Sequence, residues 1–126
     1  MQNLLLVAIG GAFGASGRYL LIQIMVFVFQ GNFPIGTILV NTIGSFLMGF
    51  ACFFVDRHSN LMSLQIKLLL MTGFLGGFTT FSAFSIDVFR LMSASQFVPA
   101  FAYIFSSIIL SILAIFFGFY LAKLIF

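Results

Sequence analysis

Between Met71 and Arg90 three glycines (Gly73, Gly76 and Gly77) are interleaved with hydroxyls (Thr79, Thr80, Ser82, Ser85) and with phenylalanines at about every third position. Glycine and β-branched residues weaken a helix through backbone entropy and crowding. Inside a bilayer, backbone that leaves the helical ladder persists only where protein buries it or a wet cavity solvates it. A helix broken here ends its first half in unpaired carbonyls, which suit a bare cation such as Na⁺. It starts its second half with unpaired N–H groups, which, with the hydroxyls, suit an anion. Phe81 and Phe84 lie three apart, so after the break they share a face. Their ring edges are positive, and an edge can face a small anion without the full charge that would trap it. Packing alone also accounts for phenylalanine in a chain that has twenty of them.

Two further polar faces accompany this stretch. Thr37, Asn41 and Ser45 stand four residues apart, as do Tyr103, Ser107 and Ser111, so each set lines one side of a helix. Asn41 offers two donors and an acceptor that hydrocarbon cannot satisfy, and an interhelical hydrogen bond is its plainest use. The serines can bond back to the preceding turn, or they can form a second polar face to match the first. Arg18, within an apolar helix, must find carbonyls, a carboxylate, water or an interface; alternatively it draws anions to a pore mouth.

The inventory excludes most catalysis. One His, one Cys and two carboxylates provide no nucleophile with its base and no metal cluster. Cys52 lies in an apolar helix and reads as packing. His58 sits in the polar loop Asp56–Asn60 and reads as a solvated histidine. A proton-coupled pump needs an acidic group deep in a span. Asp87, the only candidate, falls near its helix end beside Arg90, so a passive pore fits better.

The elements that position these groups follow from composition. Of 126 residues, 63% are hydrophobic and 6% charged, which is an integral membrane composition. About 20 apolar residues span a bilayer, so the chain has room for four spans. These are expected over about 4–29, 35–55, 63–92 (with a break near 74–80) and 97–123, in one all-α transmembrane domain. Gly10 and Gly14 form a Gly-x-x-x-Gly face for close helix approach. The start of the chain lacks a basic leader and a cleavage site, so the first helix is expected to stay in the mature protein. The scattered charges, net +3, provide no basic run for nucleic acid. Arg57, Lys67 and Lys123 fall on the side of the N-terminus and Arg90 on the other, which predicts both termini inside. The margin is small enough to permit either orientation and hence an antiparallel dimer.

Three blocks carry a family resemblance: Gly10-Gly11-x-x-Gly14-Ala15-x-x-Arg18-Tyr19, then Gly36-Thr37-Ile38-Leu39-Val40-Asn41-x-x-Gly44-Ser45-Phe46, then Gly73-Phe74-Leu75-Gly76-Gly77-Phe78-Thr79-Thr80-Phe81-Ser82-Ala83-Phe84-Ser85. The chain resembles the CrcB/Fluc fluoride channels of bacteria over all four helices, and the third block is highly specific. The resemblance implies a dual-topology antiparallel homodimer in the cytoplasmic (inner) membrane, with membrane lipid around it and two pores. It further implies passive fluoride export that relieves fluoride toxicity. On this basis Phe81, Phe84 and Asn41 line the pore, and Tyr103, Ser107 and Ser111 form a polar track with Thr37 and Ser82 nearby. Gly76 and Thr79 present backbone carbonyls to a structural Na⁺ on the dimer axis. Arg18 belongs to the vestibule, and Asp87 stands where many relatives have glutamate. Ala83 departs from a frequent threonine, and Asp87 is one methylene shorter than glutamate.

The expected mechanism is partial replacement of the hydration shell of fluoride by Asn41, the hydroxyls of Ser82, Ser107 and Ser111, and the edges of Phe81 and Phe84, through weak repeated binding. Two other classes compete with it. One is a small dual-topology exporter of hydrophobic cations coupled to protons through Asp87. The other is a non-conducting assembly subunit whose glycines serve helix packing alone.

Overall fold

The computed structural model describes residues 1–57 and 63–126, and the expectation for His58 lies outside the described residues. The first helix is Gln2–Phe29, the second Ile35–Arg57 and the fourth Phe97–Ile125. The third has a leading arm, residues 64–78, and a trailing arm, Phe81–Ser93. Taken as 28, 23, 30 and 29 residues, all four are long and apolar enough to cross a membrane. With its backbone satisfied along each helix, such a chain is a multi-pass membrane protein.

Local sequence explains the joints. Pro34 precedes the second helix, where its missing N–H costs nothing. At the end of the first helix the left-handed residue is Gln30 (φ 39°), while its glycine neighbour Gly31 has no positive φ. Ser63 caps the leading arm by accepting from the Ile66 N–H. From Leu68 to Leu75 the ladder widens to a π-helix, a form that recurs at functional sites.

Two close backbone seams hold the bundle together. In the first, Gly10 and Gly14 lie against the leading arm. A side chain at Gly10 would meet the Leu69 carbonyl, and one at Gly14 the Phe74 carbonyl. Gly73 and Gly77 answer from the other side, against Gly10 and Gly11. In the second seam, Gly49 faces the Ile115 carbonyl and Gly118 the Phe46 carbonyl, locking the second helix to the fourth. Small residues that let backbones approach are the general means of helix association in lipid, where apolar burial gives no drive.

Candidate functional site

The third helix opens at two residues, Thr79 (φ −78°, ψ 155°) and Thr80 (φ −153°, ψ 121°), both in extended backbone. Most of the polar groups released there are taken up by named partners. The Thr79 N–H and Oγ1 both donate to the Leu75 carbonyl, at 3.0 and 2.9 Å. Thr80 caps the trailing arm, its Oγ1 accepting from the Ala83 N–H at 3.1 Å. From the second helix, Asn41 clamps Thr80 at two points. Its Nδ2 donates to the Thr80 carbonyl at 3.0 Å, and its Oδ1 accepts from the Thr80 N–H at 2.8 Å. One donor and one acceptor on the same peptide fix which way the amide points. Its second Nδ2 hydrogen is left over.

Arg18 reaches the same joint from the opposite side, Nε donating to the Gly77 carbonyl at 3.2 Å. This meets the need of a cation inside an apolar helix for carbonyl partners. The carbonyls of Gly76 and Thr79 are left out of all these bonds.

Beside the break runs an open groove of about 590 Å³, between the second helix, the break and the fourth helix. Asn41, Gly76, Thr79, Phe81, Phe84, Ser107 and Ser111 line it, together with Ser45 and Thr80. The rings of Phe81 and Phe84 are 5.3 Å apart. Phe81 is 78% exposed. Ser107 is only 5% exposed, and its buried hydroxyl has no hydrogen-bond partner. A buried hydroxyl without a partner costs about 1 to 3 kcal/mol, so a groove-lining one is a donor kept in reserve.

Ser82, Tyr103, Thr37, Asp87 and Arg18 do not line this groove. Ser82 pairs with Thr80, Oγ to Oγ1 at 3.1 Å. Thr37, Tyr103 and Asp87 form a second constellation next to it. Thr37 Oγ1 donates to Asp87 Oδ2 at 2.8 Å, and the Tyr103 hydroxyl donates to the same oxygen at 3.2 Å. Tyr103 stacks on Phe84 at 5.4 Å and meets Phe33 edge-on at 5.9 Å. The phenylalanine of the groove is thereby tied to the carboxylate.

Sequence reasoning missed Thr80 as the peptide that Asn41 holds, although a threonine directly before the helix that starts at Phe81 is a favoured capping residue. It also missed Gly44. A side chain there would meet the Thr79 methyl, so this glycine seats the break against the second helix. Among the described residues no group of three or more metal-ligating side chains occurs.

In chemical terms the groove offers hydroxyl and amide donors, ring edges and the N-terminus of the trailing arm, with no cation in its lining. That set suits weak binding of a small anion.

The sequence matches the family model described as CrcB-like protein, Camphor Resistance (CrcB), over residues 5–119. It is 42% identical over 123 residues to a protein of Mesorhizobium japonicum named fluoride-specific ion channel FluC, covering 98% of both chains. Proteins with the same name from Rhizobium etli and Francisella tularensis are 45% identical over 118 residues (94% of each chain) and 41% identical over 121 residues (94% of this chain and 92% of the other).

Proposed function

The chain belongs to the CrcB family, and from that premise we propose that it is a fluoride-selective ion channel, passively exporting fluoride and so relieving fluoride toxicity. The observation that carries this reading is likeness of over 40% across nearly the whole chain to proteins named for that activity. The groove gives the reading its chemistry. A dehydrating fluoride exchanges water for the spare Asn41 N–H, the hydroxyls of Ser107 and Ser111, and the ring edges of Phe81 and Phe84. Ser82, Thr37, Tyr103 and Asp87 extend the path at its ends, and Arg18 adds positive potential near the vestibule. Each contact is weak, so the ion binds and leaves repeatedly.

The assembly we infer is an antiparallel homodimer in the bacterial cytoplasmic membrane. The groove is open and lined by polar groups, among them the unpartnered Ser107 hydroxyl, and lipid along it would leave such groups unsatisfied. A second copy closes the groove and makes two pores per dimer. A structural Na⁺ fits at the centre, because it prefers oxygen ligands and the carbonyls of Gly76 and Thr79 are spared by Arg18 and Asn41. These two residues would hold it, and the ion would pin the break electrostatically.

The test is growth of bacteria lacking their own fluoride export, in fluoride medium. Expression of this chain should restore growth, and Phe81→Ile or Phe84→Ile, made at equal membrane abundance, should not. Growth restored equally by both variants would remove the rings from the mechanism.

A further inference from the structure

Among the described residues, two buried side-chain hydroxyls have no hydrogen-bond partner, those of Thr42 and Ser107. Ser107 lines the groove, whereas Thr42 does not. We propose that Thr42 is a positioning residue of the path: through one buried water shared with Ser107, it turns the serine hydrogen towards the groove, where an anion takes it. The proposal rests on the fluoride-channel reading and adds to it a residue that never touches the ion.

Both hydroxyls belong to the seam between the second and fourth helices. Thr42 shares a helical face with Phe46 and Gly49. That face meets the fourth helix, since Gly49 lies against the Ile115 carbonyl and Gly118 against the Phe46 carbonyl. Ser107, Ser111 and Gly118 share the answering face. The two helices run in the same direction, because Phe33 meets Tyr103 near one end and Phe54 meets Phe126 near the other. Two turns before the Gly49–Ile115 contact, Thr42 therefore stands level with Ile108; one turn before the Phe46–Gly118 contact, it stands level with Ala114. These are the turns that carry Ser107 and Ser111.

A hydroxyl has one hydrogen and two lone pairs, and a serine can show either to a groove. Other helical serines of this chain spend the hydrogen on the preceding turn. Ser85 donates to the Phe81 carbonyl at 3.0 Å, and Ser106 to the Tyr103 carbonyl at 3.2 Å. Ser107 adjoins Ser106 and makes no such bond. Polar groups too far apart for a direct bond are commonly bridged by water, and a buried water needs about two to four polar partners. Here the Thr42 O–H donates to the water, the water donates to Ser107 Oγ, and Ser111, one turn on, offers a third partner. With its oxygen accepting, Ser107 keeps its hydrogen for the groove and becomes a stronger donor. Without the Thr42 hydroxyl the water loses the partner that orients it. Ser107 then turns back to its own helix and shows lone pairs to the anion.

The experiment is the initial rate of fluoride efflux from proteoliposomes holding equal amounts of monodisperse protein, for the wild type, Thr42→Val, Thr42→Ser, Ser107→Ala and Thr42→Val combined with Ser107→Ala. Valine keeps the shape of threonine and removes the hydroxyl; serine keeps the hydroxyl and loses the methyl. Thr42→Val should slow efflux about tenfold, the order of one hydrogen bond, and Thr42→Ser should stay within about twofold of wild type. A packing role would give the reverse order. Beside Ser107→Ala the same valine should cost less than about threefold, because the donor it acts through is gone.

Wild-type efflux from Thr42→Val, a loss in Thr42→Ser as large as in Thr42→Val, or an undiminished cost of the valine beside Ser107→Ala overturns the proposal, while wild-type conduction keeps the channel reading. Should Thr42→Val fail to fold, Thr42→Ala is read by the same criteria. A wild type that passes no fluoride defeats the channel reading itself.

Discussion

The seam between the first helix and the leading arm and the groove beside the break use the same four-residue spacing to opposite ends. In the seam the repeated residue is glycine, at Gly10 and Gly14 against Gly73 and Gly77, and backbone meets backbone with no space left. In the groove the repeated residue carries a hydroxyl or amide, at Asn41 and Ser45 and at Ser107 and Ser111, and the helices stand apart around about 590 Å³. Spacing selects a face, and side-chain size then decides whether the face closes or stays open. The seam therefore carries stability and the groove carries chemistry.

Substitutions at the two regions should separate accordingly. The largest effect is expected in the seam. Gly14→Leu drives a side chain into the Phe74 carbonyl and should cost about 3 kcal/mol or more, at the top of the overpacking range. The yield of monodisperse protein and its thermal midpoint check this, and a stable Gly14→Leu protein would break the comparison.

Asn41 belongs to both regions, since it lines the groove and holds the break. Asn41→Ala removes both bonds to Thr80 and should destabilise by about 2 to 4 kcal/mol, with one donor and one acceptor orphaned. Asn41→Asp keeps only the acceptor for the Thr80 N–H and should fall between alanine and wild type in the same melt.

Phe81→Leu touches the groove without the seam. Because Phe81 is mostly exposed, packing within the chain should change little, while fluoride flux falls more than about tenfold, roughly 1.4 kcal/mol of barrier. Flux and melting on the same preparation distinguish these. Smallest of all is Ser107→Ala. Its hydroxyl has no partner, so stability should stay within about 0.5 kcal/mol or rise, and flux should fall severalfold. A large loss of stability would show that Ser107 holds structure.

The four apolar helices and the weak point in the third were legible in the sequence, because hydropathy and glycine content act locally. The Gly10–Gly14 face was legible as a face, but its partner was not, since spacing describes one surface and says nothing of what docks there. The seam of Gly49 and Gly118 went unread because each is a lone glycine in an apolar run. The widened turns of Leu68–Leu75 left no mark either, as Leu-Leu-Leu-Met suits any buried helix. For the site, residue types were readable one at a time. Asn41 stood out as an amide needing partners, but its two-point hold on Thr80 joins positions 39 apart and exists only once the second helix crosses the break. Likewise Thr37, Asp87 and Tyr103 each drew notice for separate reasons. Their convergence on one oxygen depends on three helices meeting, which no local pattern encodes.

The most direct measurement is ion efflux from liposomes holding the purified wild-type protein, with valinomycin carrying compensating K⁺ and chloride as the comparison ion. The channel account predicts rapid fluoride loss with chloride retained. Absence of fluoride efflux from demonstrably folded protein, or equal efflux of both ions, would contradict it.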